Sequence, residues 1–174
     1  LNTLDTSYTN LTPQLTTFIG RENEINAVKK LIQENRLVTL TGAGGCGKTR
    51  LSLQVAGELQ SDFKHGVWLV EFAPLSDPAL VPQAALDTFK LRRDPQRTVH
   101  QVLGDYLRPK NLLLVLDNCE HVIDASAQLC ESLLRDCPQL KILASSREVL
   151  GIGGEISYRV PSLKTPDPEH LPPL

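Results

Sequence analysis

The stretch that decides the fold of this 174-residue chain is Gly42-Ala43-Gly44-Gly45-Cys46-Gly47-Lys48-Thr49. It matches G-x-x-x-x-G-K-[ST], a pattern in which glycines let the backbone curl so that successive N–H groups point at phosphate oxygens. A helix that begins at Lys48 would add the positive end of its dipole. We therefore expect Lys48 to reach the β- and γ-phosphates of a nucleotide and the Thr49 hydroxyl to bind Mg²⁺. The other candidate phosphate contacts in the loop are Gly42, Gly44, Gly45, Cys46 and Gly47.

Strands and helices alternate on both sides of this loop. Strands are predicted at residues 36–41, 67–72, 112–116, 141–145 and 156–160, and helices at residues 48–60, 78–89, 99–107 and 123–137. An earlier helix carries Ile25, Val28, Leu31 and Ile32 on one face. Several of the strands are continuously apolar, as in a parallel sheet that is buried on both sides. The sequence therefore predicts an α/β, three-layer P-loop NTPase fold with a five-stranded, mainly parallel sheet and helices on both faces.

Composition excludes several classes of protein. With 18 Lys+Arg against 20 Asp+Glu, the chain lacks the bulk positive charge of a nucleic-acid-binding surface. The longest apolar run, at residues 112–116, is far shorter than a membrane helix, and the first residues do not form a signal peptide, so we expect a cytoplasmic protein. The four cysteines form no C-x-x-C pair, which favours packed thiols over a metal site at Cys119, His121 and Cys130.

Three segments are expected along the chain. The Thr-rich residues 1–17 are predicted to be an extended lead-in, residues 18–163 a nucleotide-binding domain, and the Pro-rich residues 164–174 a linker. The chain begins at Leu1 and contains no Met, so we expect a domain excised from a longer protein.

A second motif lies at the end of the predicted strand at residues 112–116. This apolar run ends in Asp117, which is the form of a Walker B motif, and Asp117 is expected to hold Mg²⁺ through water. Many ATPases place an acidic base at the next position, but here it is Asn118, which cannot accept a proton. Glu120 and His121 are the alternative bases; otherwise Glu120 only caps the next helix and hydrolysis is slow.

An arginine follows the strand at residues 141–145. Arg147 could sense or stabilise a γ-phosphate there, and the alternative is a surface arginine in a turn. The guanine-recognition strings D-x-x-G and N-K-x-D do not occur, which favours an adenine nucleotide. A metabolic phosphotransferase would need a lid over its substrates. The Arg-rich residues 90–97 are the only candidate for a lid in the sequence, and they are a weak one, which disfavours this function.

Taken together, these motifs resemble the STAND class of signalling ATPases, from about residue 15 to residue 163. The resemblance is carried by Leu15-Thr16-Thr17-Phe18-Ile19-Gly20-Arg21-Glu22, the phosphate loop, Gly66-Val67-Trp68-Leu69-Val70-Glu71, Leu116-Asp117-Asn118-Cys119-Glu120-His121, Ser145-Ser146-Arg147-Glu148 and Gly154-Glu155. Within the class, the chain is most similar to nucleotide-binding domains of large bacterial regulators of the LuxR and SARP types, which are similar to NB-ARC domains.

The resemblance implies a role for each matching position. The segment Phe18, Ile19, Gly20 and Arg21 would contact adenine and ribose. The phosphates would be bound by Gly45, Gly47, Lys48 and Thr49, with Arg50 beside them. Asp117 would bind Mg²⁺, Arg147 would be the sensor arginine, and Pro161 would lie in a turn that leads to a winged-helix domain.

The resemblance also implies a function. In such proteins ADP, held between this domain and the winged helix, locks an inactive monomer, and exchange for ATP opens the protein and drives homo-oligomerisation. We expect an ATP/ADP switch with slow Mg²⁺-dependent hydrolysis, joined to winged-helix and sensor domains, and no direct contact of this domain with nucleic acid or membrane. The alternative is a nucleotide-gated interaction module with negligible hydrolysis, which Asn118 favours.

Overall fold

The computed structural model describes residues 9–12 and 20–162, so the predictions for Phe18, Ile19 and the linker at residues 164–174 lie outside the described part. The elements in chain order are α1 (Glu22–Glu34), β1 (Leu37–Thr41), α2 (Lys48–Glu58), β2 (Val67–Glu71), α3 (Val81–Thr88), α4 (Val99–Leu107), β3 (Leu113–Asp117), α5 (Ile123–Asp136), β4 (Lys141–Ser145) and β5 (Glu155–Arg159). Short 3₁₀ turns at Gln60–Asp62 and Pro78–Leu80 follow α2 and precede α3.

All five strands form one parallel sheet in the order β2-β3-β4-β1-β5. β4 therefore lies between the strand that precedes the phosphate loop and the strand that ends in Asp117. Because the strands are parallel, the carboxyl ends of β1, β3 and β4 meet at one edge of the sheet, which is where such folds bind ligands.

Helices cover the sheet on both faces, as the apolar strands require. In β3, Leu114 and Leu116 pack in a core with α3, α4 and α5. The alternate residues Leu113 and Val115 pack in a second core with α1 and α2. A strand with apolar side chains on both faces reads as a continuous apolar run, and this explains the sequence of β3. The predicted three-layer α/β fold is confirmed, and the sheet is wholly parallel rather than mainly so.

Element bounds differ from the sequence predictions by one residue at the ends of several elements and by more in two helices. The helix predicted at residues 78–89 is a 3₁₀ turn followed by the separate helix α3. Pro82, in the first turn of α3, has no N–H to donate back to the preceding turn, and the two segments stay distinct. The helix predicted at residues 48–60 ends at Glu58. β5 begins one residue early, because Glu155 already pairs with Leu37.

Within residues 9–12 and 20–162, no helix has both the length and the apolar character needed to cross a membrane.

Candidate functional site

A glycine-rich loop connects β1 to α2. Gly45 and Gly47 have φ values of 79° and 91°, in the left-handed region that favours glycine. Gly42 is crowded, since a Cβ there would stand 3.0 Å from Cys46 Sγ and 3.1 Å from the Val160 carbonyl oxygen. Gly47 is the N-cap of α2, and no side chain caps this helix. The N–H groups of its first turn are thus left without a side-chain cap, as at helix ends that hold anions.

Lys48 lies over this loop. Its Nζ donates to the carbonyl oxygens of Gly42 at 2.8 Å and Ala43 at 2.9 Å, and Cys46 Sγ is 3.9 Å away. The side chain is buried in spite of its charge, which requires hydrogen-bond partners at its ammonium group. The structure therefore places the Lys48 ammonium group against the backbone of the glycine-rich loop. Arg50 follows as an exposed residue in the first turn of α2.

A hydrogen-bonded network joins the ends of three elements. Thr49 Oγ1 donates to Asp117 Oδ1 at 2.9 Å and lies 3.1 Å from Asp117 Oδ2. Ser145, the last residue of β4, donates its hydroxyl to Asp117 Oδ1 at 2.5 Å. A threonine hydroxyl beside a carboxylate is the kind of oxygen donor set that Mg²⁺ takes, usually with substrate phosphates completing its coordination. The two predicted Mg²⁺ ligands thus lie in direct contact.

The residues after Asp117 form a tight turn. Asn118 has a φ of 62°, its backbone N–H donates to Ser145 Oγ at 3.1 Å, and its Nδ2 lies 3.4 Å from Asp117 Oδ2. The Cys119 N–H donates to the Ser145 carbonyl at 2.9 Å. Burial raises the pKa of the Cys119 thiol to about 12, so this thiol is a neutral packing group at physiological pH. The four cysteines are free, and the described residues hold no group of three or more acidic, cysteine or histidine side chains suited to a metal.

Glu120 and His121, the two alternative bases, have different surroundings. Glu120 is half-buried, and within the described part of the chain its Oε2 is buried without a hydrogen-bond partner. It does not cap α5, whose N-cap is Val122 and has no side-chain cap. His121 is exposed, and its Nε2 is 2.7 Å from the Phe72 carbonyl oxygen. The structure thus leaves Glu120 with a free acceptor and gives His121 a backbone partner.

Arg147 extends from the end of β4 to the phosphate loop. Its Nη2 is 3.1 Å from the position that a Cβ on Gly44 would occupy. The side chain is exposed, yet it contacts the loop rather than pointing away from it. The geometry therefore brings the predicted sensor arginine and the loop together.

Arg21 connects the glycine-rich loop to the segment that follows β5. It is 5% exposed, and its Nη2 donates to the Cys46 carbonyl at 2.9 Å and the Pro161 carbonyl at 3.4 Å. Its Nη1 is buried and has no partner among the described residues. A buried guanidinium nitrogen without an acceptor is costly, so Nη1 is suited to an oxygen of a bound ligand. Gly20, exposed and with a φ of 93°, precedes it.

Two positioning residues were missed by the sequence analysis. The sequence places Ser145 at a strand end beside the candidate γ-phosphate sensor, but it does not predict the contact of Ser145 with Asp117. Glu155 accepts from Thr39 Oγ1 at 2.7 Å, from the Leu150 N–H at 2.8 Å and from the Gly151 N–H at 3.0 Å. This carboxylate holds the loop between β4 and β5, which begins beside Arg147. The sequence marks Gly154-Glu155 only as part of the family resemblance and gives Glu155 no role.

Sequence comparison identifies an ATPase family model and two relatives that match most of this chain. A family model described as AAA ATPase domain matches residues 17–145. An uncharacterized protein of Mycobacterium tuberculosis is 42% identical over 149 residues, which are 86% of this chain and 38% of that protein. A protein of the same organism that is named as an HTH-type transcriptional regulator is 43% identical over 140 residues, which are 80% of this chain and 16% of that protein. The chain thus spans well under half the length of these relatives.

Solved structures share the fold at low sequence identity. A STAND protein with a tetratricopeptide repeat sensor from Pyrococcus horikoshii has a TM-score of 0.58 at 15% identity, covering 86% of this chain and 24% of that one. Cdc6p from Pyrobaculum aerophilum has a TM-score of 0.58 at 13% identity, covering 88% of this chain and 48% of that one. The predicted resemblance to a STAND-like P-loop ATPase is confirmed.

Proposed function

This chain belongs to the AAA ATPase domain family, and we propose that it is the ATP/ADP-binding switch domain of a multidomain signalling ATPase, a bacterial transcriptional regulator. In this proposal, slow Mg²⁺-dependent hydrolysis converts an ATP-bound, open and oligomeric state into an ADP-locked monomer. The observation that carries the proposal is the contact of Thr49 and Ser145 with Asp117, with Lys48 held over the adjoining loop.

The site residues divide into three tasks. Lys48 and the N–H groups of the glycine-rich loop would bind the phosphates, and Arg21 Nη1 would donate to a nucleotide oxygen. Thr49 and Asp117 would hold Mg²⁺, which neutralises phosphate charge when it is bound. Arg147, against Gly44, is suited to distinguish a γ-phosphate from its absence. Phe18 and Ile19, Arg50 and Pro161 are proposed as further nucleotide contacts.

Hydrolysis requires a group that orients or deprotonates water. Asn118 cannot accept a proton, whereas Glu120, next to the Asp117 turn, has a buried carboxylate oxygen with no partner among residues 9–12 and 20–162. We assign the base to Glu120 in the switch proposal. The second candidate function, a nucleotide-gated interaction module with negligible hydrolysis, is favoured by Asn118 and by the engagement of His121 with a backbone carbonyl.

The wider context of the proposal comes from the relatives. One is named as an HTH-type transcriptional regulator and one fold neighbour as a STAND protein with a repeat sensor, so the domain is proposed to lie between an output domain and a sensor domain in a cytoplasmic protein. Residues 18–163 would form the nucleotide-binding domain, residues 1–17 its lead-in, and residues 164–174 the link to a winged-helix domain. This domain itself would not contact nucleic acid.

The test is direct titration of ATP and ADP with Mg²⁺, after identifying any nucleotide that remains bound on purification. Lys48→Ala is expected to weaken binding at least about tenfold, because a hydrogen bond to a charged group contributes about 1.5–3 kcal/mol. Lys30→Ala, on the exposed face of α1, is the matched control and should bind as the wild type does. Wild-type affinity in Lys48→Ala would refute the phosphate-loop assignment. Phosphate release by the wild-type chain separates the two functions, since the switch predicts slow turnover and the interaction module predicts none.

A further inference from the structure

Glu71, the last residue of β2, lies beside Asp117 at the edge of the sheet where the strands end. The two residues are register partners in the parallel pair of β2 and β3. The Phe72 N–H continues this pairing with a hydrogen bond of 3.0 Å to the Asp117 carbonyl. Neighbouring strands are about 4.8 Å apart. A second carboxylate is therefore carried one strand away from a candidate Mg²⁺ ligand.

The packing of both strands shows that these two side chains share one face of the sheet. Val115 of β3 and Val67 of β2 pack in the core with α1 and α2, and residues two apart in a strand lie on the same face. Asp117 continues this row in β3, as its hydrogen bond with Thr49 at the start of α2 shows. Glu71 continues it in β2. Glu71 is exposed and, within the described part of the chain, has no hydrogen-bond or ion-pair partner.

Two neighbouring carboxylates act differently on a nucleotide with and without its metal ion. Like charges repel, so Asp117 and Glu71 oppose the phosphates of a metal-free nucleotide. Mg²⁺ reverses this effect, because it takes oxygen ligands and keeps several waters, to which a nearby carboxylate can hydrogen-bond. A second carboxylate at such a site therefore favours the Mg²⁺-bound nucleotide over the metal-free one.

We propose that Glu71 is a specificity-determining residue, which makes the site select the Mg²⁺-bound form of its nucleotide over the metal-free form. The inference rests on the proposed nucleotide-binding function and adds to it a residue outside the phosphate loop and the Asp117 motif. Lys48 Nζ is bound to the loop after β1, and Arg147 follows β4, so in the strand order both cations lie beyond Asp117 from β2. Glu71 thus sets the charge on the side of Asp117 toward β2.

The test compares the affinity for ADP in Mg²⁺ and in EDTA, at low ionic strength so that charges are little screened. Glu71→Gln removes the charge and keeps the size of the side chain. In EDTA this variant should bind ADP about twofold tighter than the wild type, the factor for two unit charges about 8 Å apart in water. In Mg²⁺ it should bind about two- to tenfold more weakly, the factor for one net hydrogen bond. The ratio of the two affinities should therefore fall about fourfold or more.

Two further variants separate charge from structure. Glu71→Asp keeps the carboxylate and should retain most of the wild-type ratio. Glu34→Gln is the matched control, because it removes an exposed charge at the end of α1, near the start of β1 and so toward the opposite edge of the sheet. It should bind ADP as the wild type does in both buffers. A purely structural effect at position 71 would weaken binding in both buffers alike and leave the ratio unchanged.

The ratio decides the outcome. If the wild type binds ADP more tightly with Mg²⁺ and Glu71→Gln keeps the wild-type ratio, the inference is overturned while the proposed nucleotide binding stands. A wild type that binds ADP equally in both buffers would overturn the inference as well, and one that binds no ADP in either buffer would refute both proposals. If Glu71→Gln does not fold by circular dichroism, Glu71→Thr, a neutral residue that strands favour, is judged by the same ratio.

Discussion

Ser145→Ala tests whether the buried network at Asp117 is as important as its geometry indicates. The Ser145 hydroxyl donates to Asp117 Oδ1 at 2.5 Å and accepts the Asn118 N–H at 3.1 Å, and both Ser145 and Asp117 are almost wholly buried. A hydrogen bond to a charged group contributes about 1.5–3 kcal/mol and a neutral one about 0.5–1.5 kcal/mol. We therefore expect the variant to lose about 2–4 kcal/mol of unfolding free energy. For a chain of this size that corresponds to a fall in Tm of about 5–15 °C.

Thermal unfolding followed by circular dichroism measures this loss, and the next residue supplies the control. Ser146 is equally buried, but the hydrogen bond given for its hydroxyl within the described part of the chain is a long one, 3.4 Å from the Glu148 N–H. Ser146→Ala should therefore cost less than about 1.5 kcal/mol, the upper value for one neutral hydrogen bond. The reasoning is refuted if the two variants melt at the same temperature. Under the proposed function, Ser145→Ala should also reduce the gain in nucleotide affinity that Mg²⁺ provides, because Asp117 loses a group that orients it.

Two further predictions concern the loop and the thiols. A Cβ at Gly44 would press on Arg147 Nη2, the end of a flexible exposed side chain. Gly44→Ala should therefore leave Tm nearly unchanged but bring the ratio of ATP to ADP affinity close to that of Arg147→Ala. Titrations that leave this ratio at its wild-type value in both variants would contradict the sensor role. Burial raises the pKa of Cys119 to about 12 and of Cys137 to about 11, so both thiols are neutral at pH 8. Both should react with iodoacetamide only after unfolding. Mass spectrometry that finds either thiol modified in the folded protein would show this prediction to be wrong.

The helices and strands of the fold could be predicted largely from local sequence patterns. The run that forms β3 is apolar at every position before Asp117, because the sheet is buried on both faces, and the apolar spacing in α1 and α5 is helical. The strand order and the wholly parallel pairing depend on contacts between distant segments, which a periodicity does not contain. The sequence does not separate the Pro78–Leu80 turn from α3, because Pro78 is itself suited to begin a helix; the break appears at Pro82, which interrupts hydrogen bonding.

The candidate site divides in the same way. Lys48, Thr49 and Asp117 belong to motifs whose spacing follows from the ligand they serve, so the sequence is enough to identify them as candidates. Ser145 and Glu155 act through other residues, and their partners are 28 and 116 residues away in the chain. The bond of Arg21 to the Pro161 carbonyl spans 140 residues. Such contacts exist only once the strands have been ordered, which is why sequence patterns do not reveal them.

The identity of residue 118 follows from the backbone rather than from the chemistry of hydrolysis. The turn after β3 must bring the Cys119 N–H to the Ser145 carbonyl, and it does so with a φ of 62° at Asn118. Asparagine adopts this left-handed conformation more readily than glutamate does, and its amide can donate toward Asp117 where a carboxylate would repel it. An acidic base directly after Asp117 is therefore disfavoured by both strain and charge. Under the proposed switch function, a base would have to come from beyond the turn, and Glu120, whose Oε2 is buried without a partner among the described residues, is the candidate.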